Sequence, residues 1–158
     1  MKTTSLIAAF AAAAAATGIV VLPASGQDQS NTRTLRFVST QKRSDFKSID
    51  VKPKGDSVGD GFLLSSLLHD GSRVVGRVEA HCSYLDATYH AQMCDIVAIL
   101  ADGRITLQGA GLDKRLPGVG GTDEIFAITG GTGAYVGASG SMTIKGNGKK
   151  DTLTFTLE

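Results

Sequence analysis

Tryptophan is missing from the 158 residues, proline occurs three times, cysteine twice, and aromatic residues make up 6% of the chain. Each scarcity excludes something. Two cysteines cannot build a disulfide-dense scaffold or a four-thiolate zinc site. His69, His81 and His90 sit on separate segments, and no CxxC or HxxxH spacing occurs, so no metal is expected. A formal net charge of +1 gives no electrostatic case for nucleic acid or anionic lipid. A serine hydrolase is excluded because no GxSxG elbow is present; Gly137-Ala138-Ser139-Gly140 is the nearest approach and its pattern is wrong. Beyond the N-terminal region, no stretch carries helical periodicity long enough for a real helix.

That N-terminal region has its own logic. Lys2 supplies a positive start, Leu6 to Leu22 is alanine-rich and apolar, and Ala24-Ser25-Gly26 offers small residues at a cleavage site. Residues 1–26 are expected to be a signal peptide cut after Gly26, leaving a secreted chain with no membrane attachment. A retained anchor is the alternative, but the stretch is short for a span of about 20 apolar residues and no stop-transfer charges follow. Residues 27–33 are polar and expected to be disordered. Residues 34–158 are read as one domain.

Within that domain strand follows strand. Leu35 to Thr40 reads as the first, and Ser44 to Asp60, with Pro53 and three glycines, as a long irregular connection. Phe62 to His69 ends at Asp70-Gly71, a hairpin signal. In Arg73 to Leu85, Val74, Gly76, Val78, Ala80, Cys82 and Tyr84 share one face, against Arg77, Glu79, His81 and Ser83 on the other. Ala91 to Leu100, the strand after Asp102-Gly103, Glu124 onward, Ser139 to Lys145 and the alternation at Leu153, Phe155 and Leu157 complete the set. Gly111 to Thr122 is a loop. About eight short antiparallel strands predict an all-β fold, an up-and-down eight-stranded barrel of lipocalin-like type with an apolar cavity; a sandwich is the alternative. Cys82 and Cys94 are equidistant from Thr88, so a symmetric hairpin sets them opposite one another, and export favours a disulfide between them.

Twenty glycines are the surplus, and they concentrate in Glu124 to Gly140. A nucleotide-binding loop is excluded there. Gly131-x-Gly133-xxx-Gly137 is one residue too long for GxGxxG, and too little chain follows for a βαβ unit. The alternative is a structural glycine corner of Gly130, Gly131, Gly133 and Gly137, with a turn at Thr132–Val136 and a return strand.

The run from Phe126 to Tyr135 (FAITGGTGAY) followed by Gly137-Ala138-Ser139-Gly140 resembles the signature of the allene oxide cyclase and dirigent barrels. Gly59-Asp60-Gly61, the stretch His69 to Arg77 and the stretch Gly103 to Gly109 fall in that family's order, so the resemblance spans Gly59 to Glu158. It implies a cofactor-free barrel that steers cyclisation or coupling of a lipophilic intermediate, an isomerase or a dirigent-type stereocontrol protein, working as a trimer. It also implies another role for Cys82, as a free thiol in the cavity, because the plant cyclases have a cysteine at the similar position. The chain departs from the cyclases in its first strand, which lacks their glutamate, and at Ser66, which stands where an asparagine is expected. Arg77 matches a dirigent-like motif, although with Glu79 it reads equally as a solvated outer pair. Candidate pocket-lining residues are Phe62, Ser66, Tyr84, Phe126 and Met142. The second functional reading is a non-catalytic exported barrel that binds a hydrophobic molecule or a protein partner.

Overall fold

The computed structural model describes residues 32–88, 91–112, 124–146 and 150–158. The proposed signal segment and most of the Gly111–Thr122 loop lie outside these residues.

Alternation of side chains decides the architecture. Among the described residues nine strands form one antiparallel sheet: β1 (Arg33–Thr40), β2 (Phe46–Ile49), β3 (Gly61–Asp70), β4 (Arg73–Tyr84), β5 (Ala91–Leu100), β6 (Gly103–Leu112), β7 (Glu124–Gly133), β8 (Gly140–Gly146) and β9 (Lys150–Leu157). Neighbours in sequence pair from β2 to β9, and β1 pairs with β9 along its whole length, Arg33 facing Leu157 and Thr40 facing Lys150. The sheet then closes, because the end of β1 also pairs with β3, Val38 with His69 and Thr40 with Leu67. Eight strands make the barrel; β2 is an outer strand that takes over the edge of β3 where β1 leaves it. Closure removes the long unpaired edges an open sheet would expose.

One residue in two along each strand turns inward, and those residues are the core. Phe155, Leu68, Ile105, Leu107 and Met142 are fully enclosed, and Phe37 meets Phe155 edge-on at 5.9 Å. Each buried side chain of this size contributes about 1.5–3 kcal/mol relative to exposure. Cys82 faces Cys94 in the β4–β5 register, both are buried, and they form a disulfide.

Four expectations need correction. Arg33 belongs to β1 rather than to a disordered tail, because it pairs with Leu157. The Ser44–Asp60 connection is not wholly irregular: a 3-10 turn at Arg43–Asp45 leads into β2, whose ladder partner is the outer half of β3. The remainder of that connection folds over Asp60, which accepts from the N–H of Val51 at 2.7 Å and of Ser57 at 2.8 Å. These two donors favour the charged form and hold the Asp60 carboxyl below its ordinary range. In β4 the inward face begins at Gly76 rather than Val74. The register shifts opposite Leu68 and His69, Val75 is the extra residue, and Val74 is left exposed. A second shift, between Thr106 and Leu107, places Gly130 and Gly131 inside β7, so the turn occupies residues 134–137 and not Thr132–Val136.

Candidate functional site: the barrel lumen

The two ends of the barrel are built differently. At one end lie the β3–β4 and β5–β6 hairpins and the glycine corner. Gly133 and Gly137 adopt φ of 64° and 78°, which fold the chain back so that the ring of Tyr135 seals this end, 4% exposed. Gly131 is needed for a different reason: a Cβ there would stand 2.4 Å from the Tyr135 carbonyl oxygen and 2.7 Å from that of Arg104. The Tyr135 hydroxyl donates to Asp102 Oδ1 at 2.8 Å, and the Arg33 guanidinium lies 5.8 Å from the ring centroid. Burial, then the hydrogen bond to the Asp102 carboxylate, push the phenol up to about 12. This corner is a plug.

A hollow of about 480 Å³ lies beside the plug, where β1 has passed the last residue of β3. Leu35, Phe37, Val75 and Leu100 line it together with Arg33, Asp70, Arg73 and Asp102. Arg73 pairs with Asp70 at 3.8 Å, and Asp102 holds Tyr135. A second hollow, about 420 Å³, runs over the outer wall between the Ser44–Lys47 segment and the row Leu63, His81 and Asp95. On that same wall Arg77 Nε stands 2.5 Å from Glu79 Oε1 and Arg77 Nη2 donates to Ser65 Oγ at 2.6 Å. Both members of the pair face solvent, away from the lumen, where such a pair contributes little to stability.

The lumen carries the chemistry of a site. Ser39 on β1 and Ser66 on β3 are buried on the inward face, and Gln41 and Asp151 stand at the same level. These four polar side chains surround a hollow of about 50 Å³ whose other walls include Val78, Ile96, Met142 and Leu153. The volume suits a water or two. Hydroxyls and a carboxamide can donate to an oxygen placed there, and a carboxylate can accept a proton or face a developing positive charge.

Of the residues singled out in the sequence, Ser66 and Met142 line this hollow together. Phe126 is buried elsewhere, against the position where a Gly109 Cβ would stand. Phe62 stacks on Phe46 of the outer strand, with centroids 5.2 Å apart. Tyr84 lies on the inward face at the end of β4, paired in register with Gln92. Cys82 is tied up in the disulfide and offers no thiol. No group of metal-ligating side chains occurs among the described residues. Ser39, Gln41 and Asp151 were missed, although a signal was present. Ser39 follows Leu35 and Phe37 at the inward period, and Asp151 precedes Leu153, Phe155 and Leu157 at the same period. A polar residue continuing an apolar alternation marks a place where the lumen is meant to be polar.

No family model and no curated protein sequence matches the chain. Solved structures do. A pyocyanin demethylase superposes with a TM-score of 0.66 at 22% identity, over 80% of this chain and 100% of that one. A pterocarpan synthase dirigent protein gives 0.58 at 15% identity, over 80% and 82%. An exo-specific intermolecular Diels–Alderase gives 0.59 at 15% identity, over 80% and 97%. At these identities the likeness is one of fold, and in fold the chain is a dirigent-like barrel.

Proposed function

We propose that the chain is a cofactor-free barrel that admits an apolar small molecule to its lumen and steers its cyclisation or coupling towards one product. The observation that carries this reading is the ring of Ser39, Gln41, Ser66 and Asp151 around one hollow in a closed barrel whose other inward side chains are mostly apolar. Packing alone gains nothing from the Ser39 and Ser66 hydroxyls there, since burying a hydroxyl costs free energy unless it meets a partner. Apolar walls would bind the body of the molecule. The Ser39 and Ser66 hydroxyls would hold an oxygen of it, and Asp151 would accept a proton or stabilise positive charge as the ring closes. Fixing one geometry of the reacting atoms lowers the barrier without a cofactor.

Because the hollow as it stands suits water, a larger molecule would enter by displacing wall side chains, Met142 among them. Met142 is an unbranched, flexible side chain suited to that task. The superposed barrels support the reading by their names, a demethylase, a dirigent protein and a Diels–Alderase, although fold alone does not decide function. Export and trimer assembly belong to the same proposal. The disulfide suits an oxidising compartment, and Leu63 and Ile125, exposed on the outer wall, would gain from a partner. A non-catalytic carrier is the second reading, favoured by the absence of a glutamate from Leu35–Gln41.

Native mass spectrometry of the protein purified from its own source tests the binding claim. A small-molecule adduct is expected, and it should vanish in Ser66→Phe, which fills the hollow. Bare protein, or an adduct that survives Ser66→Phe, contradicts the lumen as the site.

A further inference from the structure

The lumen holds one polar group that neither the fold nor the four-residue ring explains. Gln92 is the second residue of β5, and the alternation that turns Cys94, Ile96 and Ala98 inward turns Gln92 inward as well. Its register partners are Tyr84 on β4 and Gly111 on β6. The side chain is 8% exposed, and its carboxamide oxygen is buried with no hydrogen-bond partner among the described residues. Ser57 Oγ shares that condition by distance, but it lies beside the Asp60 carboxylate, towards which the hydroxyl can turn.

An unpaired carboxamide oxygen is costly, and a methionine would fill the same space with no polar atom to bury. The neighbouring position is shaped around the amide as well. A Cβ at Gly111 would stand 3.2 Å from Gln92 Nε2, so glycine there leaves the carboxamide its place. One rung further in, the disulfide and Phe126, packed against Gly109, form an apolar wall.

We propose that the Gln92 carboxamide, which stands four residues along β5 from Ile96 at the hollow, is the polar anchor for a ligand that extends along the lumen towards this end. The site takes a neutral, largely apolar molecule bearing a hydroxyl or N–H that donates to Gln92 Oε1. An ether has no proton to give, and an ionised carboxylate only accepts, so neither satisfies that oxygen. The inference rests on the lumen being the binding volume, and it adds which chemistry the lumen prefers.

Two probes of matched shape test it, 2-naphthol and 2-methoxynaphthalene, titrated into the full-length protein by calorimetry. Gln92→Met and Gln92→Glu are compared with wild type, with far-UV circular dichroism as the check on folding. The expected result is naphthol bound about tenfold tighter than the methoxy compound by wild type, one hydrogen bond's worth of affinity. Gln92→Met should abolish that preference while keeping its affinity for the methoxy compound. Gln92→Glu supplies a carboxylate acceptor at the same place and should keep a preference for naphthol. Equal binding of both probes by wild type, or a preference that survives Gln92→Met, overturns the role of Gln92 and leaves the lumen reading standing. Failure of both probes to bind wild type removes the lumen reading, and the anchor with it.

Discussion

Replacing Tyr135 with phenylalanine tests whether the glycine corner exists to seat a plug. The substitution keeps the buried ring and removes the hydroxyl that donates to Asp102 at 2.8 Å. At pH 8 the loss should be about 1 kcal/mol, the net worth of an ordinary hydrogen bond, because the exposed Asp102 carboxylate regains water. The alkaline limb is more telling. In the folded protein the phenol is pushed up to about 12, against 10 when unfolded. Above pH 10 the unfolded chain gives up this proton while the native state keeps it, so the unfolded state binds fewer protons and stability falls as pH rises. That contribution is fully present below pH 10 and is lost as pH climbs through about 12. The shift corresponds to about 2–3 kcal/mol. Urea unfolding of both proteins from pH 8 to 12, followed by far-UV circular dichroism, isolates it, since the remaining titrations are common to both. Wild type should lead at pH 8, lose that lead above pH 10 and be the less stable of the two by pH 12. Curves that fall in parallel would refute the buried, proton-retaining plug.

The same corner predicts that Gly131→Val lowers stability by about 3 kcal/mol through overlap with the Tyr135 and Arg104 carbonyl oxygens, read as a fall in melting temperature. An unchanged melt would mean that the corner relaxes freely. Thiol titration of denatured, unreduced protein should find no free cysteine. Replacing Cys82 and Cys94 together with alanine should cost about 3 kcal/mol, as expected for a bridge that closes a short loop.

Strand periodicity made most of the barrel legible, and the features that escaped it share a physical cause. Leu153 to Leu157 announces its inward face because a strand's period is two and apolar residues occupy every second place, whereas Phe62 to His69 carries leucines on both faces and declares only that it is a strand. The cysteine pair was legible for a related reason, since a symmetric hairpin fixes which residues oppose one another. Val75 and Thr129 were not legible. A single bulged residue reverses the alternation beyond it, and nothing in Arg73–Gly76 or Phe126–Gly131 declares where the extra residue sits. Nor was β2. Phe46–Ile49 includes a lysine and a serine and is a strand because β3 offers it an unfilled edge. The polar ring draws on β1, β3 and β9, and closure of the barrel through the β1–β3 and β1–β9 pairings brings the two ends of the domain together. Local pattern holds no record of that meeting. Gln92 was readable as a polar residue in an apolar alternation, but its lack of a partner shows only when its neighbours are in place.

The central claim, that the hollow around Ser66 and Met142 and neither of the two larger hollows receives the ligand, can be tested with two methionines. Met142 is fully buried and lines the hollow, whereas Met93, one residue along β5 from Gln92, faces outward. In a protein labelled with ¹³C at the methionine methyl groups, titration with 2-methoxynaphthalene should move the Met142 resonance with saturation and leave that of Met93 in place. A saturable shift at Met93 with Met142 unmoved, or binding that disturbs neither, would contradict the account.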